Sequence, residues 1–397
     1  MKQNKIVVGL YLSTGMDSGG IFQYSLSVLD ALSSLDRQNL LVLKVAYHGS
    51  EWPSLLIDQP NKVKKLKWGK LGILFSKCLL GLMLPGGFSR NFLSKLNPVY
   101  YELKKLEADV WIYPGQDLFS YQMPFKSLST IHDLMHIYEP TFSEASSWYR
   151  YQLRQHRFKN LVKNSVGILV DSDLGRAHVC QSYGSDGMGI YKLPFIPQVK
   201  VSFTKKEETE TLERLAVPQQ FLFYPAQFWP HKNHKILIDA SNNILNSCGD
   251  FNLVLTGSKT LEYKKLKALC KKLGLETRVH FLGRVSDKEL GILYQNAKAM
   301  IMPTFFGPTN IPPLEAIQYG CPVAVSNNYA MPEQLGKAAI YFDPSSLAEI
   351  ETCILTLWND QEVRKRLVAE GYKKSQEYTQ ENFARKLMAV LHSVVSK

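Results

Sequence analysis

The feature that most constrains this chain is a rhythm. Short apolar runs alternate with stretches at helical spacing, twice over, along 397 residues. In the first half the runs are Ile6–Leu10, Leu41–Ala46, Val110–Tyr113, Leu128–Ile131 and Gly167–Asp171. In the second they are Phe221–Tyr224, Leu253–Thr256, Val279–Leu282, Ala299–Met302 and Val323–Ser326. Apolar runs without polar alternation predict strands buried on both faces, as in parallel sheets covered by helices. Between them lie helical patterns. One runs through Leu26, Leu29 and Leu32, and one is capped by Ser172 and stopped by Gly184. Others span Asn233–Asn246, Leu261–Lys272 and Pro312–Tyr319. Glycines after such patterns and prolines at their start are ordinary helix punctuation.

Repeated strand–helix–strand units predict an α/β chain of two Rossmann-like domains, and the length suits about two domains. The expected boundaries are 1–197 and 198–375. A final helical stretch follows over 376–397, which lacks a strand of its own and is expected to pack on the first domain. Lys200–Leu215, polar and charged, reads as the linker.

Composition narrows the function classes. Hydrophobic residues make up 45% and charged residues 21%, the balance of a soluble globular protein. The net charge of +12 suits a nucleic acid, an anionic membrane surface or an anionic small substrate. No zinc-finger spacing or aromatic RNA-binding signature accompanies the lysine runs, which argues against nucleic acid. Six cysteines without a C-x-x-C pair argue against structural zinc and a disulfide framework, and for a reducing cytosol. Met1–Leu12 reads as a strand rather than a signal peptide. No apolar stretch reaches the roughly 20 residues of a spanning helix.

Four blocks at strand ends could carry chemistry. Pro303–Pro322 reads as strand, Gly/Pro-rich loop, helix, stop and strand. A helix N-terminus offers free N–H groups and a positive dipole end to an anion. Glu315, placed in the first turn, either accepts from a ribose diol or caps its own helix. Tyr224–Lys235 places Lys232 between a strand and a helix, where it either neutralises a diphosphate or is a solvated loop lysine. His132, in Thr130–Leu134, either donates to a sugar hydroxyl or a developing charge, or is a structural histidine. The turn from Gly15 to Gly20 lacks the G-x-G-x-x-G spacing and permits close backbone approach to a ligand, no more.

Together these blocks resemble the retaining GT-B glycosyltransferases of family 4, most strongly from Phe221 to Pro344. The resemblance implies two Rossmann-like domains facing a central cleft. The acceptor would bind mainly the first domain and a nucleotide-diphosphate sugar mainly the second. In that pattern two glutamates lie eight positions apart. The second matches Glu315, implied to hold the donor ribose, while the first falls on Gly307. There a backbone amide of Gly307–Ile311, with Thr309 and Asn310 in the same loop, is expected to take over, unless sugar recognition differs. An arginine and lysine five apart hold the diphosphate in the family; the lysine matches Lys232, but Gln227 stands in the arginine position. The base-contacting turn resembles Gly283, Arg284 and Val285. The active-site histidine resembles His132, and the donor-proximal glycine loop resembles Gly19 and Gly20.

The expected reaction is transfer of a hexose, with retention, to a glycan or lipid-linked acceptor in bacterial surface polysaccharide or lipopolysaccharide synthesis. Lys232 and the helix end at Pro312 would stabilise the leaving diphosphate. No metal cluster is legible, and Asp171-Ser-Asp173 reads as strand end plus helix cap, so metal independence is expected, with no cofactor. A sugar-nucleotide epimerase and a non-catalytic binding subunit are the competing readings. Lys62–Leu96 mixes lysines with Trp68, Leu71, Ile73, Leu74, Phe75, Leu79, Leu82, Phe88 and Phe92. It reads either as a buried helical segment or as a contact with the inner face of the membrane, which would make a cytoplasmic protein peripheral there.

Overall fold

The apolar runs become strands of two parallel sheets in the computed structural model. It describes residues 5–15, 18–49, 52–56, 62–142, 147–184, 187–198, 200–245 and 248–396. These fall into two units: Met1–Ile196 together with Thr379–Lys397, and Pro197–Tyr378.

The first unit holds β1 (Val7–Leu12), β2 (Val42–Tyr47), β3 (Val63–Lys65), β4 (Val110–Tyr113), β5 (Ser127–Thr130), β6 (Gly167–Val170) and β7 (Gly189–Lys192). Their order is β3-β2-β1-β4-β5-β6-β7, parallel throughout. Val8, Leu10, Val45, Ile112 and Leu128 are wholly buried, as strands covered on both faces require. The last helix, Gln380–Val395, belongs to this unit. Gln380 donates to the Ser27 carbonyl at 2.9 Å, and Phe383 meets the Tyr24 ring edge-on.

The second unit holds β8 (Leu222–Pro225), β9 (Leu253–Thr256), β10 (Val279–Gly283), β11 (Ala299–Met302), β12 (Val323–Ser326) and β13 (Ala339–Phe342). Their order, β10-β9-β8-β11-β12-β13, repeats the first sheet strand for strand up to its sixth member. Both sheets reverse their winding at one place, between β1 and β4 and between β8 and β11. At such a switch point the loops leaving the carboxyl ends diverge and open a crevice.

Two expectations need correction. Lys205–Arg214 is a helix rather than a linker. Thr204 and Glu207 close a capping box at its start, which sequence polarity concealed. Lys62–Leu96 is helical in part and only partly buried: Leu79 is buried and Ile73 packs against the core, whereas Trp68, Leu71, Leu74, Leu82, Phe88 and Phe92 are exposed. The ends of two other elements, Met1–Asn4 and Asn246, and Met16 with Asp17 of the glycine turn, lie outside the described residues. No helix among the described residues is long and apolar enough to cross a membrane.

Candidate active site

The switch point of the second unit carries a cation. β8 ends at Pro225, and the loop after it closes in a turn of 3-10 helix, Pro230–Lys232. The helix His234–Ile244 follows, opened by Asn233 in the left-handed region. Tyr224 donates its hydroxyl to the Lys232 carbonyl at 2.9 Å and fixes the loop from below. The loop after β11 is tied to the same turn, because the Phe305 N–H donates to the His231 carbonyl at 2.8 Å. The Lys232 ammonium then donates to Asn310 Oδ1 at 3.0 Å, directly bridging the two diverging loops. Burial lowers the Lys232 pKa to about 8, so the side chain is still mostly charged at neutral pH.

Asn310 is held from three sides. Its N–H donates to Gln334 Oε1 at 3.0 Å, and its carbonyl accepts from Gln334 Nε2 at 2.7 Å. Its own amide donates to the Gly307 carbonyl at 3.1 Å. This accounts for Gly307. The residue has φ +138°, and a Cβ there would lie 2.8 Å from the Asn310 amide. A glutamate there would have to displace the Asn310 amide and take a strained backbone conformation.

The helix after this loop is Ile311–Gln318. Pro312 and Pro313 carry no N–H, and the Asn310 amide is spent on Gln334. Ile311 is left as the residue of the first turn that can offer an amide to an anion. The helix end expected at Pro312 therefore contributes less than an ordinary N-terminus, and the burden shifts to Lys232. Glu315 is the fifth helical residue, not a first-turn residue, and does not cap its helix. It accepts from the Tyr294 hydroxyl at 3.0 Å, with the Tyr319 ring stacked on Tyr294.

A match covering residues 205–374 now joins this geometry to known proteins: the model of glycosyl transferases group 1. The chain carries a glycosyl transferases group 1 domain. Among curated relatives, O-antigen chain mannosyltransferase B of Escherichia coli is 25% identical over 280 residues, covering 68% of this chain and 71% of its own. O-antigen chain mannosyltransferase RfbU of Salmonella typhimurium is 26% identical over 215 residues, covering 54% and 56%. Among solved structures, Anabaena Alr3699/HepE in complex with UDP-glucose matches with a TM-score of 0.71 at 17% identity, over 97% of this chain and 99% of that one. This likeness establishes the fold, the GT-B class of two Rossmann-like domains expected from the sequence.

The remaining predicted residues fall at strand ends with uneven freedom. Gln227 accepts from the Ser258 N–H at 2.9 Å and so clips the loop after β8 to that after β9. Gly283, at φ +76°, accepts from the Gly257 N–H at 2.9 Å and starts the turn through Arg284 and Val285. Gly19 has open space where a Cβ would project, and Gly20 begins the helix Gly20–Arg37 in the first unit. His132 is not placed as a donor to a substrate. Its Nε2–H donates to the Pro114 carbonyl at 2.7 Å, and burial lowers its pKa to about 4. The ring is neutral at pH 7, and its remaining nitrogen accepts.

Sequence reasoning missed the other switch point. Ser13, after β1, donates to Asp117, after β4. Burial raises the Asp117 pKa to about 6. Arg157 donates to Gln116 Oε1 at 2.9 Å beside it. The strand-end positions of Ser13 and Asp117 were the available signal. Among the described residues no group of three His, Cys, Asp or Glu is arranged to hold a metal ion.

Proposed function

We propose that this glycosyltransferase moves mannose from a nucleoside-diphosphate donor to a glycan or lipid-linked glycan in surface polysaccharide synthesis, with retention and without a metal ion. The observation that carries the reading is the Lys232–Asn310 bridge across the second switch point, where a ligand of a doubly wound sheet sits. The choice of mannose rests on the two O-antigen mannosyltransferases. The nucleotide-sugar donor is supported by the UDP-glucose complex of the HepE neighbour.

In this reading the bond between the sugar C1 and the diphosphate oxygen breaks, and the acceptor hydroxyl attacks C1 from the same face. The acceptor proton passes to the departing phosphate oxygen, so the protein needs no nucleophile. Its work is to hold the negative charge that develops on the diphosphate. Lys232 does this from a partly desolvated position, where a fixed charge acts more strongly than in water. Asn310 aims the ammonium and Gln334 fixes Asn310. Glu315, oriented by Tyr294, accepts from the ribose diol, and the backbone of Gly283–Val285 meets the base. Thr309 and Ile311 complete the wall around the sugar. The unit containing β1 to β7 receives the acceptor.

The test is a thermal shift titration with GDP, UDP and dTDP, followed by transfer assays with and without EDTA. A nucleotide at about 100 times its dissociation constant adds roughly 2.7 kcal/mol to stability. One nucleotide should stabilise the wild type and fail on Lys232→Ala. Undiminished stabilisation of that variant would overturn the site. Donor hydrolysis without acceptor separates a transferase from a binding subunit, and loss of transfer in EDTA would refute metal independence.

A further inference from the structure

The helix Gly69–Gly81 is inside out. Its buried face is Gly69, Gly72, Ser76 and Leu79, mostly small residues. A Cβ on Gly72 would lie 2.5 Å from Val99 Cγ2, so the helix fits its seat only because that position has no side chain. Asn97 clamps it by donating to the Gly72 carbonyl at 3.1 Å and to Ser76 Oγ at 3.2 Å. The large apolar side chains point the other way. Leu71, Leu74 and the capping Leu82 are 51%, 58% and 70% exposed, on one stripe at helical spacing.

The apolar face continues along the chain. Phe88 and Phe92 set their exposed rings 5.3 Å apart, tilted by 33°. Trp148, 73% exposed, opens the helix Trp148–Asn164, whose Tyr149 hydroxyl lies beside Gly81. Single exposed apolar residues are ordinary, but so many large ones within one stretch of chain and the helix beside it are not.

The charge around it has one sign. From Gln59 to Tyr101 the sequence contains no Asp or Glu, but Lys62, Lys64, Lys65, Lys67, Lys70, Lys77, Arg90 and Lys95. Two of the eight are spent: Lys62 pairs with Asp36, and Arg90 donates to the carbonyls of Phe125 and Asn164. The other six are exposed. The neighbouring Glu102 carboxylate is committed to the backbone amides of Lys67 and Trp68. Lys67 lies over the Trp68 ring, with its nitrogen 5.5 Å from the centroid.

We infer that this face docks on an anionic lipid bilayer, the leucines and phenylalanines entering the acyl boundary while the lysines meet the headgroups. An apolar face with a cationic border and tryptophans at its margin matches the layered polarity of such a surface. A protein partner would also cover apolar area, but six exposed lysines in the same stretch of chain call for a dense negative surface. The inference does not rest on the donor site, since binding to lipid needs neither nucleotide nor acceptor.

Flotation of the full chain separates these cases. The probes are vesicles of phosphatidylcholine alone and vesicles carrying phosphatidylglycerol. The wild type should float with the anionic vesicles and stay below with the neutral ones, and float less as salt is raised. Leu71→Asn/Leu74→Asn and Lys64→Glu/Lys65→Glu each alter exposed side chains only. Each should lower partitioning about tenfold or more while melting at the wild-type temperature, given roughly fivefold per basic residue at such a surface. Flotation unchanged in both variants would overturn the inference. So would equal flotation on neutral vesicles, or absence of flotation with a dimer in solution that Leu71→Asn/Leu74→Asn dissolves.

Discussion

The two sheets share a winding and differ in what stands at its reversal. In the first unit Ser13 and Asp117 join the loops after β1 and β4. In the second Lys232 and Asn310 join those after β8 and β11. The geometry of the crossing is the same, and the residues are opposite in character. A desolvated carboxyl suits hydroxyl groups; a desolvated ammonium suits phosphate oxygens. Topology places the crevice, and under the proposed function one side chain on each sheet decides what enters it.

The hardest test of that contrast exchanges nothing but removes each charge in turn. Lys232→Ala should cut transfer by about 10²–10³-fold, the range for deleting a preorganised charge at a developing anion. Asp117→Asn should leave the nucleotide-induced thermal shift intact while weakening transfer through the acceptor. If Asp117→Asn abolishes the nucleotide shift, the division of labour fails.

A second prediction concerns the missing glutamate. Gly307→Glu should destabilise by about 1–3 kcal/mol, because it adds a side chain at a left-handed position against Asn310. Gly307→Glu with Asn310→Gly should recover part of that loss in thermal melts. No recovery would mean that Asn310 is not what excludes the glutamate.

Acidity should also distinguish the two sites. The Asp117 pKa is raised from 3.8 to about 6, so the folded state holds this proton more tightly than the unfolded one. Its contribution to stability is therefore lost as pH rises from about 3.8 to 6, by up to about 3 kcal/mol. The stability curve of Asp117→Asn should lack that fall. Lys232 behaves in the opposite sense for binding. Nucleotide affinity should weaken as pH rises past about 8, where the free protein loses the Lys232 proton. Lys232→Arg should bind with no such limb in isothermal titration.

The smallest effect should come from Gln334→Ala, which loosens Asn310 without touching a ligand. A severalfold loss in kcat with little change in KM is expected, and Asn310→Ala combined with it should add less than its separate effect.

Much of the fold was legible because most strands are buried on both faces and read as unbroken apolar runs. β4, β9, β11 and β12 fall on the residues expected. The strands that escaped, β3, β7 and β13, all lie at sheet edges. β3 is Val-Lys-Lys and largely exposed, and β7 is only half buried, so neither shows the apolar run of a covered strand. The helix Lys205–Arg214 was hidden by its charge, although Thr204-Lys-Lys-Glu207 spells its capping box. Lys232, Asn310 and Glu315 were legible as residues at strand–helix junctions. Their partners were not: the pairing of Lys232 with Asn310 spans 78 positions, and Tyr294 meets Glu315 from another helix. Asp117 passed unnoticed because a lone aspartate after a strand carries no pattern, and only the crossing beside β1 gives it meaning.

The seat of the helix Gly69–Gly81 has a consequence for how such a protein can change. Nothing in the interior depends on residues 71, 74 or 77, so they are free to drift, and affinity for one lipid composition or another can be retuned without disturbing the fold. A single methyl group at position 72 has no such freedom. Adaptation to a new envelope is thus confined to one side of a helix whose other side is frozen.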